Sequence, residues 1–178
     1  MANRGQWIAV SVILGVLAFG LGAAWVLTPE INRVEPGARA PDAAMVSLET
    51  GDSVSVRDYR GEVVLLNVWA TWCTPCEAEM PSMQRLHEEL GPEGLRILAV
   101  SVDQGGSAAV RRWVEERGLT FTILHDRSGR IQQTFQSTAV PESWVLDGEG
   151  VIVKKVIGAT EWDHPAQKAL FRRLLGGT

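Results

Sequence analysis

Apolar residues cluster in two ways along this chain of 178 residues. Residues 7–27 contain no charged residue and are mostly aliphatic, over a length that lets a helix span a bilayer core. The shorter runs 63–69 and 95–102 are almost continuously apolar, which is typical of strands covered on both faces. The pattern therefore predicts a membrane-spanning helix followed by a domain with buried central strands.

Shorter periodic segments predict the other elements of this domain. We expect a helix that Ser107 caps and that ends at Gly118, because apolar residues recur between them at helical spacing. Further strands are predicted at 45–48, 53–56, 121–124, 143–146 and 151–157, and further helices at 73–90, 129–135 and 165–175. The turns 49–52 and 147–150 contain glycine, so each should join two neighbouring strands in a hairpin.

The order of these elements predicts the fold class. Strand and helix alternate first and an antiparallel hairpin follows, which indicates an α/β domain with a central mixed sheet flanked by helices and an N-terminal hairpin extension. Residues 28–40 are rich in proline and mixed charges and are predicted to be a linker. The expected organisation is a cytoplasmic N-terminus at 1–6, an anchor at 7–27, the linker and a domain at 41–178.

The flanks of the N-terminal apolar segment predict its orientation. Arg4 precedes it, and Trp7 and Trp25 lie near its ends, where aromatic rings favour the membrane interface. The positive flank should stay in the cytoplasm, so the domain would lie outside it. A cleaved signal peptide, with 22–24 as the cleavage region, is the alternative, and it exports the domain to the same compartment.

Charge and cysteine content narrow the function classes. The formal net charge is −4, which gives no reason to expect binding to nucleic acid. The chain has only two cysteines, too few for a disulfide scaffold in an exported domain. Cys73 and Cys76 are separated by two residues, directly after the apolar run 63–70, and this spacing suits a redox-active pair.

The local sequence around the two cysteines indicates thiol–disulfide exchange. They should lie where a buried strand ends and a helix begins, and the unpaired N–H groups of a helix N-terminus stabilise a thiolate. Pro75 suits the first turn of that helix. A structural disulfide over so short a loop would stabilise little. A zinc site would need two more ligands, and His87, His125 and His164 are scattered.

Two stretches of the domain resemble a known family. These are APDAAMVSLETGDSVSVRDYRGEVVLLNVWATWCTPCEAEMP, which contains both cysteines, and AVPESWVLDGEGVIVKKVIG, which contains Pro141. They are similar to the thioredoxin superfamily, and more closely to its membrane-anchored TlpA/ResA/DsbE-like branch. The resemblance extends over 41–175 and includes the N-terminal anchor.

The resemblance implies an exported thioredoxin-fold enzyme whose disulfide passes electrons between proteins. Members of this branch often keep protein thiols reduced, for example those of apocytochrome c, and an integral membrane protein reduces them again. By this resemblance the chain would lie in the cytoplasmic membrane of a bacterium, with its domain on the periplasmic side, and a tethered monomer is the default expectation for its oligomeric state. It would need no cofactor beyond the Cys73–Cys76 disulfide, no metal and no nucleic acid.

The resemblance also assigns roles to individual residues. Cys73 would be the attacking thiolate and Cys76 the resolving thiol, with Trp72 packed beside them. Pro141 matches the family's cis-proline, so we predict a cis Val140–Pro141 peptide bond. The backbone of Val140 would then be free to pair with an incoming peptide strand.

Three polar residues near these motifs are further candidates. Glu79 should lie on the same helix face as Cys76, where a partly buried carboxylate with a raised pKa could accept a proton from the thiol; the alternative is a solvated glutamate near the helix start. Glu142 follows Pro141 and is predicted either to contact substrate or to be an ordinary surface residue. Asn67 replaces the buried aspartate of thioredoxin and cannot take a proton, which favours the role of Glu79.

Two other functions remain possible at this point. A peroxidase of the peroxiredoxin type shares the fold but needs a threonine three residues before its reactive cysteine, where this chain has Ala70. A copper-binding or copper-delivery protein would use both cysteines and a histidine, of which His125 is the candidate.

Overall fold

A computed structural model describes residue 7, residues 11–20 and residues 33–176, which fall into two compact units divided between Asn32 and Arg33. In the first unit residues 11–20 are helical, and the Ser11 hydroxyl donates to the Trp7 carbonyl oxygen at 2.9 Å. Within the described residues, no helix has both the length and the apolar character needed to cross a membrane. The remainder of the predicted anchor, 8–10 and 21–27, lies outside the described residues.

The second unit is built on a seven-stranded mixed sheet with the order β2-β1-β5-β4-β3-β6-β7. The strands are β1 (Ala44–Ser47), β2 (Ser53–Ser55), β3 (Val63–Trp69), β4 (Leu95–Ser101), β5 (Thr122–His125), β6 (Glu142–Leu146) and β7 (Ile152–Ile157). The helices are α1 (Thr74–Leu90), α2 (Ser107–Glu116), α3 (Arg130–Thr134) and α4 (Pro165–Leu175), with a short 3-10 helix at Val56–Tyr59. β3, β4 and β5 are parallel, and the other neighbours are antiparallel, which confirms the predicted α/β class and both hairpins.

β3 is buried along its whole length, because helices cover both faces of the sheet. On one face the ring of Trp69 packs against that of Trp113 of α2 in a tilted arrangement, with ring centroids 4.8 Å apart. On the other face Leu66 is paired in register with Trp144 of β6. The ring of Trp144 contacts that of Phe135, directly after α3, at 5.1 Å. Neighbouring residues of β3 thus point into two different apolar layers.

The predicted cap of α2 is wrong by one residue. Gly106 is the N-cap and makes no side-chain cap, and Ser107 is the first helical residue. The Ser107 hydroxyl instead contacts Nδ1 of His125 at 3.0 Å, so a contact with β5 takes the place of the local capping bond.

The predicted linker is too long at its C-terminal end. Residues 34–40, which we call the N-terminal strap, lie against β7 instead of leading freely to the domain. The Gly37 N–H donates to the Ile152 carbonyl oxygen at 2.8 Å, and the Ile152 N–H donates to that of Ala38 at 2.9 Å. Val34 is buried. The strap therefore satisfies backbone groups at an edge strand that a solvated linker would leave exposed.

Candidate active site

The chain leaves β3 at Trp69 and enters α1 at Thr74, which places both cysteines at the carboxyl end of the central strand as predicted. Cys73 is the N-cap of α1, and Pro75 lies in its first turn. The backbone N–H of Cys76 donates to Sγ of Cys73 at 3.2 Å. A helix N-terminal N–H group directed at this sulfur stabilises negative charge on it, so Cys73 is the better thiolate when the pair is reduced.

The structure shows the oxidised form, in which Cys73 and Cys76 are joined in a disulfide with their Cα atoms 5.2 Å apart. Cys73 is 5% exposed, whereas Cys76 is completely buried. A substrate sulfur can therefore reach Cys73 more readily than Cys76. This difference in access agrees with the predicted roles of attacking and resolving thiol.

A buried carboxylate fixes the loop that precedes Cys73. Asp103 accepts a hydrogen bond from the Thr71 N–H at 2.9 Å and another from the Thr71 hydroxyl at 2.6 Å. The Ser101 hydroxyl also donates to Asp103, at 2.7 Å. These residues were not among the predicted site residues. The available signal was their position at the end of β4, since polar residues at the carboxyl ends of parallel strands gather around sites.

Trp72 and the segment before β6 contain groups that the described part of the domain leaves without partners. The Trp72 side chain is 68% exposed, which is unusual for so large an apolar group. The Val140–Pro141 bond is cis, as predicted. Among the described residues, no turn or loop hydrogen bond uses the backbone of Val140, whereas the carbonyl oxygen of Pro141 accepts from Gly158 at 2.8 Å. The Val140 backbone is thus available to pair with an extended chain.

Glu79 of α1 is buried and accepts hydrogen bonds from three residues. Its Oε1 accepts from Nδ2 of Asn67 at 2.8 Å. Its Oε2 accepts from the Thr160 N–H at 3.2 Å and from Nε1 of Trp162 at 3.3 Å. Thr160 and Trp162 come from the loop before α4, and nothing in their local sequence predicted this contact.

Burial raises the pKa of Glu79 from its usual value to about 7, although the hydrogen bonds from Asn67, Thr160 and Trp162 oppose the rise. The carboxyl can thus gain and lose a proton near neutral pH, as the proposed proton transfer requires. Glu79 lies three residues after Cys76 on α1, on the same side of the helix. The predicted buried position is confirmed, and the solvated alternative is wrong.

Asn67 is placed to respond to the protonation state of Glu79. Its Nδ2 donates both to Glu79 and to the Ser143 hydroxyl, at 2.9 Å for the latter. Its Oδ1 is buried and has no hydrogen-bond partner among the described residues. Rotation of the amide would present Oδ1 to a protonated Glu79, which then needs an acceptor for its O–H. Asn67 can therefore satisfy either form of the carboxyl.

The predicted position of Glu142 needs correction. Its side chain is completely buried, so it is not a surface residue and does not face an incoming substrate in this structure. Its Oε2 accepts from the Thr138 N–H at 2.9 Å and from the Ser137 hydroxyl at 2.8 Å. The alternation of β6 turns it inward, toward the loop that leads to Pro141.

His125 is engaged within the domain. Its Nε2 lies 2.8 Å from the Asp103 carbonyl oxygen, and its Nδ1 contacts the Ser107 hydroxyl. Nε2 must donate to that carbonyl oxygen, so both ring nitrogens are engaged within the domain. A metal ion would have to displace one of these bonds. No cluster of metal-binding side chains is found in the described part of the chain.

Comparison with known proteins agrees with this geometry. The AhpC/TSA family profile matches residues 36–155. Thiol-disulfide oxidoreductase ResA of Oceanobacillus iheyensis is 38% identical over 167 residues, covering 91% of this chain and 86% of the relative. ResA of Bacillus anthracis is 32% identical over 151 residues, covering 85% of each chain.

Solved structures with the same fold include thiol–disulfide exchange proteins. One from Chlorobium tepidum, assigned as thiol:disulfide interchange protein DsbE, has a TM-score of 0.67 and 26% identity and covers 80% of this chain and 96% of that one. StoA of Bacillus subtilis, at 24% identity and a TM-score of 0.61, covers 77% of this chain and 98% of that one and supports the fold. This chain belongs to the AhpC/TSA family, and it is a thiol–disulfide oxidoreductase of the ResA/DsbE-like branch of the thioredoxin superfamily.

Proposed function

We propose that this oxidoreductase works as a reductase of protein disulfides outside the cytoplasm. The observation that carries the proposal is that Cys73 follows the exposed Trp72 and lies at the same end of the sheet as the free Val140 backbone, since Val68 of β3 pairs with Glu142 of β6. An apolar surface and an unpaired backbone segment next to a reactive sulfur suit an extended polypeptide better than a small molecule. Apocytochrome c, whose haem-site thiols must stay reduced, is the substrate that the family resemblance favours.

In the reduced enzyme, the Cys73 thiolate attacks one sulfur of the substrate disulfide. A mixed disulfide forms, and the other substrate sulfur leaves as a thiolate. Glu79 then accepts the proton of Cys76, whose thiolate attacks Sγ of Cys73. The Cys73–Cys76 disulfide closes and the second substrate thiolate is released. Two electrons pass to the substrate, and its two sulfurs take up two protons, one of which Glu79 can return.

Each turnover leaves the enzyme oxidised, so the proposal requires a dithiol donor in the same compartment. An integral membrane protein that carries electrons outward is the partner proposed here. It would attack the Cys73–Cys76 disulfide at Cys73, the more exposed of the two sulfurs, by the same chemistry in reverse.

The reduction potential of the Cys73–Cys76 couple tests the direction of electron flow. We expect a value of roughly −200 mV or lower, because a reductant must be at least as reducing as glutaredoxins. The measurement is equilibration of the protein against graded dithiol buffers, followed by counting free thiols. A value near −120 mV, as in strong oxidants, would contradict a reductase and indicate an oxidase or isomerase.

We also propose that residues 7–27 anchor the protein in the bacterial cytoplasmic membrane as a single span, with a tethered monomeric domain on the periplasmic side. In the described helix 11–20, six apolar side chains between Val12 and Phe19 are more than half exposed. So continuous an apolar surface is expected of a segment that contacts lipid.

The anchor can be tested by fractionation of cells that express the whole chain. We expect the protein in the membrane fraction after alkaline extraction, with its domain digested by protease added to spheroplasts. A matched variant that lacks residues 1–32 should remain soluble and redox-active. A mature protein released into the periplasm and starting near residue 25 would support the signal-peptide alternative instead.

The two alternative functions receive less support. Ala70 occupies the position where a peroxidase of the peroxiredoxin type needs threonine. His125 already uses both ring nitrogens, which disfavours a copper site that includes it.

A further inference from the structure

Glu142 and the loop before it form a closed unit that the exchange chemistry does not explain. We call residues 136–141 the cis-proline loop. The Glu142 carboxylate, fully buried, accepts the Thr138 N–H at 2.9 Å and the Ser137 hydroxyl at 2.8 Å through Oε2. Because Glu142 follows Pro141 directly, its side chain folds back and ties together the start and the end of the loop.

A lysine of β7 balances this buried charge. Nζ of Lys155 lies 3.4 Å from Oε1 of Glu142, and its side chain is only 13% exposed. Oε1 has no hydrogen-bond partner among the described residues, so this charge contact is what supports it. Because Glu142 is completely buried, an unpaired carboxylate there would be strongly unfavourable, and loss of the lysine would disturb the carboxylate and its loop bonds together.

Two residues of the N-terminal strap also contact this arrangement. Glu35 lies 3.4 Å from the same Nζ of Lys155, and the Val34 N–H donates to Oε1 of Gln136 at 3.4 Å. Gln136 has φ of +50°, in the left-handed region that residues other than glycine rarely adopt. Such a conformation persists only where the surroundings hold it. The cis-proline loop is therefore held by β7 and the strap as well as by its own residues.

We propose that Glu142 and Lys155 are positioning residues that preset the cis-proline loop for its polypeptide substrate, with Glu35 as a weaker third member. Glu142 is completely buried and the Lys155 side chain is only 13% exposed, so this pair acts through the loop and not by contact with the substrate. Their effect is to keep the Val140 backbone in one conformation before the substrate strand arrives. A loop that is already ordered loses less conformational entropy on binding. Glu142 and Lys155 therefore increase the affinity for substrate and do not change the rate of thiol–disulfide exchange. The inference rests on the proposed function in one respect, that the substrate is a polypeptide.

The test compares Lys155→Met with Lys154→Met. Lys154 points to the opposite face of β7, where its Nζ bonds Oε1 of Gln167 at 2.8 Å, so it is a matched control for losing one lysine from this strand. KM and kcat are measured with a peptide that carries one disulfide, and in the other direction with its dithiol form. A small disulfide, hydroxyethyl disulfide, is assayed in parallel.

For Lys155→Met we expect KM for the peptide to rise about tenfold with kcat changed less than about twofold, as for the loss of a preordered binding loop. The rate with hydroxyethyl disulfide and the reduction potential should not change. Lys155→Arg should have the KM of the unmodified protein, because it keeps the positive charge. Glu142→Gln should raise KM as Lys155→Met does. Glu35→Gln should raise KM less, because Glu35 is exposed. Lys154→Met should behave as the unmodified protein.

Two results would overturn the inference. One is an unchanged KM for the peptide in Lys155→Met. The other is an equal loss of rate with the peptide and with hydroxyethyl disulfide, which indicates that the variant disturbs the whole active site. Glu35→Gln keeps the test valid if the buried variants fold poorly, because its side chain is at the surface. An enzyme that oxidises the peptide dithiol but does not reduce the disulfide would contradict the proposed direction only. The KM comparison would still decide the role of Lys155, since both directions use the same loop.

Discussion

Replacement of Cys76 with serine is expected to abolish turnover and to leave the protein covalently joined to its substrate through Cys73. Cys73 keeps the helix N-terminal environment that favours its thiolate, including the N–H of residue 76, which donates at 3.2 Å. It can therefore still attack a substrate disulfide. Without the second thiol, however, no group within the enzyme can release the mixed disulfide. We expect the steady-state rate to fall by at least about a thousandfold.

The adduct itself provides the measurement. Cys76→Ser protein, mixed with a peptide disulfide, should gain the mass of one peptide strand, and a reducing agent should remove it. Cys73→Ser is the matched control: its remaining thiol is completely buried and should give little adduct over the same time. Faster adduct formation by Cys73→Ser than by Cys76→Ser would show that the roles of the two thiols are reversed.

The features that the sequence predicted well are those with a local cause. A strand that ends at Trp69, a cysteine at the helix cap and Pro75 in the first turn all follow from residues close together in the chain. The same is true of α4, whose predicted start at Pro165 and end at Leu175 are confirmed. The cis bond before Pro141 came from the family resemblance, since a proline alone does not require a cis bond.

The features that the sequence did not predict depend on contacts between distant residues. Asp103 holds Thr71 across 32 positions of the chain, and Glu79 meets Trp162 across 83. Glu142 was expected at or near the surface because charged side chains are rarely fully buried. Its burial depends on Lys155 of the neighbouring strand, and periodicity within one strand cannot show such a partner.

The N-terminal strap is a further feature that the sequence did not predict, because its composition suggested a linker without contacts to the domain. Proline, glycine and mixed charges in this stretch resemble a solvated linker. Ile152, however, belongs to an edge strand whose backbone needs partners, and the strap supplies them. A boundary that depends on backbone hydrogen bonds leaves little trace in side-chain composition.

Glu79 should make the stability of the oxidised protein depend on pH, and Glu79→Gln should remove that dependence. The folded-state pKa is about 7, above the ordinary value of 4.5, so between these values the folded protein binds more protons than the unfolded chain. The contribution of Glu79 to the free energy of unfolding is therefore fully present below about pH 4.5 and is lost as pH rises through 7. The loss amounts to about 3 kcal/mol at 1.36 kcal/mol for each pKa unit.

Glutamine is a suitable replacement because the site can satisfy it. Its oxygen can accept from Thr160 and Trp162, and its NH2 group can donate to Oδ1 of Asn67 after rotation of that amide. The variant thus resembles the protonated form of Glu79 at every pH. Urea unfolding at several pH values between 4.5 and 8 should show a falling stability for the unmodified protein and a nearly constant one for Glu79→Gln.

The same variant should slow disulfide exchange at neutral pH, because an amide cannot accept the proton of Cys76. We expect a loss of about a hundredfold in the rate of the resolving step, within the range for removal of a general base. Glu77→Gln is the matched control on α1, since Glu77 is exposed and paired with Arg117 at 2.6 Å, and it should change neither the pH dependence of stability nor the rate. If Glu79→Gln kept the pH dependence of stability but lost the activity, the buried carboxyl would not be the group that titrates near pH 7. If it lost the pH dependence and kept full activity, Glu79 would be a buried acid without a part in proton transfer.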